Sequence, residues 1–216
     1  QDIRWDARRV DMGRNFTNKL WNATRFAFMN LNGPEDAGPP ERLADRWILA
    51  RLARATDLVT ERLEAFDLGG ANRAAYDFVW SEFCDWYLEA AKPALHAGDA
   101  RTRYVLRTTL EAILRLLHPL LPFVTSELWE AMGHEEQVAL AAWPTATGDG
   151  RTDAEAEETF ATLQAAVGAV RALRAEADLP PSQVIPVHVS GDAREALERQ
   201  ADVIAALARA ELMDDA

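Results

Sequence analysis

The stretch YDFVWSEFCDWYLEAA (residues 76–91) is apolar on nearly every side of a helical wheel, yet it carries four acids. A helix that is apolar all round has no face to offer water, so it belongs at the centre of a bundle. The pattern predicts a central helix from about Arg73 to Leu95, closed by HAGD (96–99). Other helical segments surround it. Arg14 to Leu31 places Phe16, Leu20, Ala23, Ala27 and Leu31 on one apolar stripe. NGPEDAGPP (32–40) reads as a loop, and a second helix is expected from about Glu41 to Phe66, with Leu43, Trp47, Leu49–Leu52 and Val59–Leu63 facing inward. DLGGAN (67–72) ends it, its glycines standing where a C-cap is expected. A fourth helix runs from about Arg101 to His118, Pro119 and Pro122 interrupt it, and it resumes through Trp129.

VALAAWP (138–144) reads as a short extended segment and TATGDG (145–150) as a linker. Beyond the linker the composition changes: Phe160 is the only aromatic, and residues 149–216 hold 14 acids against six bases. A long alanine-rich helix (about 153–177), an alternating β-branched strand VIPVHVS (184–190) and a last helix (192–210) are expected there. The fold class is therefore mainly α. A helical domain (1–148) is followed by a small helix–strand–helix appendage (149–216).

The 216 residues suit one or two domains with a sizeable core. No run of eighteen apolar residues occurs, so no helix is expected to span a membrane. No charged-then-apolar signal segment opens the chain, and its first residue is Gln rather than Met, which suggests a piece of a longer polypeptide. One cysteine, Cys84, excludes an internal disulfide framework and fits a reducing cytoplasm; its place on an apolar helix points to packing.

The net charge of −12 argues against nucleic acid, but phosphates respond to local patches. Residues 1–32 hold six cations against three acids, so the remainder carries −15. Of 23 basic residues only Lys19 and Lys92 are lysines, places where a compact ammonium is wanted rather than a guanidinium fork. Within RNFTNKLWNATRF (14–26), Asn15, Lys19, Asn22 and Phe26 form a stripe flanking the apolar face, while Arg14, Asn18, Trp21 and Arg25 lie opposite the core. Amides and guanidiniums pair with base edges, aromatic rings stack on unpaired bases, and cations hold phosphates. The same helix could instead be an ordinary amphipathic one, ion-paired to its neighbours. In the central segment Glu82, Asp85, Glu89 and Lys92 recur at intervals of three, four and three, hence on one face of an α-helix. Their carboxylates suit the exocyclic amine of cytosine or adenine, or equally the arginines of a neighbouring helix.

No catalytic motif accompanies these residues. There is no Gly-rich phosphate loop, no GxSxG and no HExxH, and His96, His118, His134 and His188 lack metal-ligand spacing. On residues alone this is a helical binding domain.

QDIRWDARRVDMGRNFTNKLWNATRFAFMNL (1–31), DRWILARL (45–52), FVWSEFCDWYLEAAKP (78–93) and LEAILRLLHPLLPFVTSELWE (110–130) together resemble the C-terminal part of bacterial valyl-tRNA synthetases, class I aminoacyl-tRNA synthetases. DRWIL and HPLLPFVTSELW recur with variation in the isoleucyl and leucyl enzymes as well; the RNF-NKLWNA-RF and FCDWYLE patterns are characteristic of the valyl branch. The resemblance implies an anticodon-binding helix bundle followed by a small α/β appendage. It departs from the family at DMG (11–13), where an aromatic or acidic residue is usual and a turn between two short helices is expected. The family's ATP-site signatures, HIGH and KMSKS, do not occur in the chain.

Carried over position by position, the family's anticodon contacts fall on Arg8, Lys19, Arg25, Phe26, Leu88 and Glu89. With Arg14, Asn15, Asn22 and Asp85 from the helix faces, these ten form the expected tRNA-binding set, with no catalytic and no metal-binding residue. The resemblance implies a part in ATP-dependent attachment of valine to its tRNA, with ATP used by the complete enzyme and no cofactor in this piece. The expected partners are the anticodon stem-loop of the valine tRNA and the rest of the same polypeptide, including a catalytic core and a basic coiled-coil arm, in a cytoplasmic monomer. The rivals are an isoleucyl-type domain and a helical scaffold with no RNA role.

Overall fold

A computed structural model describes residues 7–145 and 152–213, with side chains from Val10 onward. The chain is mainly α-helical. Helices α1 (Ala7–Asn30) and α2 (Leu43–Glu64) precede one long continuous helix made of α3 (Leu68–Asp77), a π-helical segment (Phe78–Tyr87) and α4 (Leu88–His96). Then come α5 (Ala100–Leu117), α6 (Pro122–Ala131) and α7 (Ala154–Glu176). Strand β1 (Ile185–Val187), short helices α8 (Arg194–Glu198) and α9 (Ala201–Ala208), and strand β2 (Ala210–Leu212) complete it.

The long helix lies at the centre, as its apolar composition dictates. Phe78, Val79, Phe83, Tyr87 and Leu88 are all buried, and the segment packs against α1 and α2. The expected stripe of α1 is buried at every position, Phe16, Leu20, Ala23, Ala27 and Leu31. The helix starts earlier than periodicity indicates and passes straight through residues 11–13. Gly13 is a helical residue with open space around it, so the expected turn does not form. The central helix also begins early, at Leu68, because the Asp67 side chain accepts a hydrogen bond from the Gly70 amide at 2.9 Å and caps it. Gly69 and Gly70 are thus the first turn of a helix, not the end of one.

The end of α2 is closed differently. The Asp67 amide donates to the Arg62 carbonyl and the Phe66 amide to the Leu63 carbonyl, the paired bonds of a Schellman cap. The left-handed position that glycine usually takes is held by Phe66, at φ 55° with its ring exposed. Glycine is required elsewhere: Gly33 turns the loop after α1 at φ +135°, and a Cβ there would stand 3.2 Å from the Arg103 guanidinium. Arg103 is buried beneath that loop and donates to the carbonyls of Asn30, at 3.0 Å, and Pro34.

Asp45 is buried in α2 and accepts hydrogen bonds from the Tyr87 hydroxyl (2.9 Å) and the Thr102 hydroxyl (2.6 Å). It joins α2, the π-helical segment and α5. Burial pushes its carboxyl up to about 6, against the pull of those two hydrogen bonds.

Helix α7 packs on α2 through Trp47 and Phe160, stacked with centroids 3.9 Å apart. Arg46 holds Asp153 with two bonds of 2.7 and 2.8 Å and reaches Glu155 at 2.8 Å. The boundary expected at 148/149 lies outside the described residues. Beyond α7 the expected strand is shorter, because β1 pairs in parallel with a strand of only three residues, β2 (Ile185 with Ala210, Val187 with Leu212). The expected last helix is broken into α8 and α9, and β2 follows it. Val138–Ala141 forms a turn, with the Leu140 and Ala141 amides bonding to Gln137 and Val138, rather than an extended segment.

Phe66→Gly should raise stability by about 1 kcal/mol, because it relieves a left-handed L-residue whose side chain packs on nothing, while Phe66→Ala should change little. Urea melts of the three chains check this. For Asp45, the folded chain between pH ~4 and ~6 keeps a proton that the unfolded chain has released. This group therefore stabilises the fold below about pH 4, and that contribution is lost as pH rises through about 6. Asp45→Asn removes the effect. Stability of the wild type relative to Asp45→Asn should thus grow by about 2 kcal/mol on going from pH ~7 to ~4, and a pH-independent difference would contradict the burial of this carboxylate.

Candidate nucleic-acid interface

Helix α1 buries one stripe and leaves the adjoining stripe beside the central helix. A groove of about 230 Å³ opens along that seam, lined by Lys19, Asn22, Ala23 and Phe26 from α1 and by Cys84, Leu88, Glu89 and Lys92 from the central helix. Its polar side chains are organised in two similar units. The Lys19 ammonium stands 2.5 Å from the Asp85 carboxylate and 3.9 Å from the centre of the Trp80 ring. The Lys92 ammonium stands 2.6 Å from the Glu89 carboxylate and 5.6 Å from the centre of the Phe26 ring. Both lysines of the chain are in this groove, each beside a carboxylate and an aromatic face, which attracts a cation through its quadrupole.

The winding of the central helix makes the first unit. Trp80 and Asp85 are five residues apart, about 140° around an α-helix. Bonding from i to i+5, as from the Leu88 amide to the Phe83 carbonyl, brings such residues to one side of the turn. The same winding separates the acids that α-helical spacing puts on one face. Glu82 turns to α2, where Arg51 grips it with two bonds of 2.7 Å, while Asp85 turns to α1. The expectation of one shared face is thereby corrected for Glu82, while Asp85, Glu89 and Lys92 remain together on the side of α1.

Of the ten residues expected to bind tRNA, Lys19, Asn22, Phe26, Leu88 and Glu89 line the groove and Asp85 touches it through Lys19. Leu88 is buried and forms the floor. Asn15, in line with Lys19 along α1, is exposed. Arg14 and Arg25 lie on the outer face with Asn18 and Trp21, all exposed. Arg14 makes a solvent-exposed pair with Asp11 at 3.0 Å, and Arg25 has no ion pair among the described residues. Arg8 is on the first turns of α1, but its side chain lies outside the described residues. Lys92 lines the groove and Trp80 touches it through Lys19, and both stand outside the expected set. A 3.6-residue period does not reveal Trp80; the rarity of lysine does point to Lys92. The Cys84 thiol is buried and pushed up to about 12, so it is no nucleophile. Among the described residues no group of His, Cys, Asp and Glu is placed to hold a metal ion, and no helix is long and apolar enough to cross a membrane.

A family model described as the anticodon-binding domain of tRNA ligase matches residues 45–189. The valine–tRNA ligase of Thermus thermophilus is 48% identical over 215 residues, covering 100% of this chain and 24% of that protein. That of Deinococcus radiodurans is 42% identical over 245 residues, covering 99% of this chain and 27% of its own length. The chain thus spans about a quarter of the length of these relatives. Among solved structures, the ternary complex of an Agrobacterium radiobacter K84 LeuRS with tRNA and LeuAMS aligns with a TM-score of 0.54 at 23% identity, over 69% of this chain and 18% of that one. That likeness concerns the fold.

Proposed function

The chain belongs to the anticodon-binding domain family of tRNA ligases, and we propose that it reads the anticodon and positions the tRNA within a cytoplasmic valine–tRNA ligase. The observation that carries this reading is the groove between α1 and the central helix, where an aromatic ring, two ammoniums, an amide and a carboxylate converge. Phe26, half-buried at its edge, stacks on an unpaired base. Glu89 accepts from a base amine. Arg25 and Arg8 contact base edges or phosphates, and Asn15, Asn22 and Arg14 extend the contact along α1. Lys19 donates from a fixed position, since Asp85 and Trp80 hold it.

Catalysis in this reading is supplied by the rest of the ligase, which binds ATP, activates valine and charges the tRNA. The 216 residues lack both ATP-site signatures and so do neither alone.

Affinity of the chain and three variants for a valine anticodon stem-loop, and for one with a changed anticodon letter, tests the assignment. Phe26→Ala should lose about 1–3 kcal/mol of binding and less stability than the roughly 3–5 kcal/mol of a fully buried Phe. Arg25→Ala should weaken the cognate loop more than the altered one, because a base contact carries specificity. Lys19→Ala should weaken both, since it leaves the Asp85 carboxylate bare beside the RNA. All binding should fall steeply with salt. If Phe26→Ala melts the fold while Arg25→Ala leaves discrimination intact, the cluster is structural.

A further inference from the structure

We propose that Lys92, paired with Glu89, determines base specificity in the groove, selecting an unpaired base with an exocyclic amine next to a ring-nitrogen acceptor (cytosine or adenine) over one with a carbonyl there (uracil or guanine). This rests on the groove being the RNA site. Lys92 is absent from the residues that the family resemblance puts in contact with the anticodon, and three observations single it out.

The first is composition. The chain uses arginine at 21 of its 23 basic positions, and both exceptions, Lys19 and Lys92, line this one small groove. A guanidinium is a wide planar fork of five donors, whereas an ammonium is a compact point that fits beside a carboxylate without covering it. The second is geometry. The Lys92 ammonium stands 2.6 Å from one oxygen of Glu89 and 5.6 Å from the centre of the Phe26 ring. A base resting against Phe26 therefore lies next to an acceptor and a donor side by side. The third is exposure. The Lys92 and Glu89 side chains are 34% and 44% exposed, so the pair is reachable, and among the described residues no other group bonds the second Glu89 oxygen in competition with an incoming amine.

The chemistry then sets the preference. Cytosine offers its 4-amino group to the Glu89 carboxylate while its N3 accepts from Lys92; adenine does the same with its 6-amino group and N1. Uracil and guanine put a carbonyl oxygen where the amine would be. That oxygen faces a carboxylate, and their ring N–H faces an ammonium, so both contacts are reversed in polarity. Lys92 also holds the Glu89 carboxylate in place and offsets its charge, without which the phosphate backbone would be repelled.

The experiment measures affinity of the full 216-residue chain for stem-loops carrying each of the four bases at each anticodon letter in turn. Wild type, Lys92→Gln, Lys92→Arg and Glu89→Gln are compared, with thermal melts and salt titrations alongside. At one letter the wild type should favour C and A over U and G, and Lys92→Gln should reduce that ratio roughly tenfold, the scale of one good two-bond base contact. Lys92→Arg should fail to restore it although the charge is kept. Glu89→Gln, which can donate as well as accept, should shift the preference toward the carbonyl bases. If Lys92 only holds a phosphate, Lys92→Gln will weaken all loops alike and lower the salt slope by about one, and Arg will rescue it; that result overturns the proposal. Wild type binding no stem-loop would instead overturn the RNA reading itself, whereas binding with an unaltered preference in Lys92→Gln overturns only the specificity role of Lys92.

Discussion

A central helix that is apolar on nearly all sides yet carries carboxylates must bring each of them either to solvent, as with Asp77, or to a partner. That requirement organises the bundle. Glu82 is taken by Arg51 of α2, Asp85 by Lys19 of α1 and Glu89 by Lys92 one turn on. Tyr87 donates to Asp45, whose second oxygen is bonded to Thr102 of α5. These contacts tie the central helix to α2, to α1 and, through Asp45, to α5, while the Glu89–Lys92 pair lies within the helix itself. Because the winding is π-helical over Phe78–Tyr87, Glu82 and Tyr87 face α2 while Asp85 faces α1, on the side where Glu89 and Lys92 follow. The groove is a consequence: α1 is held at the distance that a lysine, a carboxylate and an indole impose, and the seam stays open on the solvent side.

The same kind of pairing extends outward. Arg51 reaches Glu157 of α7 at 3.2 Å as well as Glu82, so the clamp on the central helix is also a clamp on α7. Arg171 of α7 lies over Trp86, 5.4 Å from the ring centre, and donates two bonds to the Leu207 carbonyl at the end of α9. Arg174, buried, donates to the carbonyls of Gln183, Pro180 and Arg209. A guanidinium with several fixed donors suits this work, because loose loop carbonyls need more than one bond to be ordered. The small β1–β2 sheet is thus tied to the bundle by arginines together with the apolar contacts of α7 and α9.

How far each feature is legible in the sequence depends on the physical signal it leaves. The buried stripe of α1 and the centrality of residues 78–88 are strong periodic or compositional signals, and both hold. The interior-facing residues of α2 leave a similar trace. Helix ends are less legible, because Phe66 holds a left-handed position that sequence logic reserves for glycine, and the nearby glycines, Gly69 and Gly70, draw the expected cap three or four residues too far. Strand β2 is three residues of ordinary composition, visible only through its pairing with β1. The π-helical winding has no residue signature at all, and the Trp80–Lys19–Asp85 unit is hidden with it. Resemblance and helical spacing agree on Lys19, Arg25, Phe26 and Glu89; the structure brings Lys19, Phe26 and Glu89 into one groove and leaves Arg25 exposed on the outer face of α1.

A net charge of −12 can coexist with the proposed RNA-facing surface because many arginines are already engaged internally. Arg42, Arg46, Arg51, Arg54, Arg101 and Arg107 each pair with carboxylates of other elements or loops, so their charge contributes little field to the surface. Outward from α1 the situation differs. Arg14 has only a neighbour on its own helix, in full solvent, and Arg25 has no pair among the described residues. A polyanion approaching the molecule therefore meets available cations on the outer face of α1, with Arg73 and Arg209 also exposed and without an ion pair among the described residues. In the proposed reading, phosphate attraction and general acidic repulsion act together, directing an RNA backbone to α1 and leaving the groove beside it, where each ammonium is already held by a carboxylate, to contact the bases.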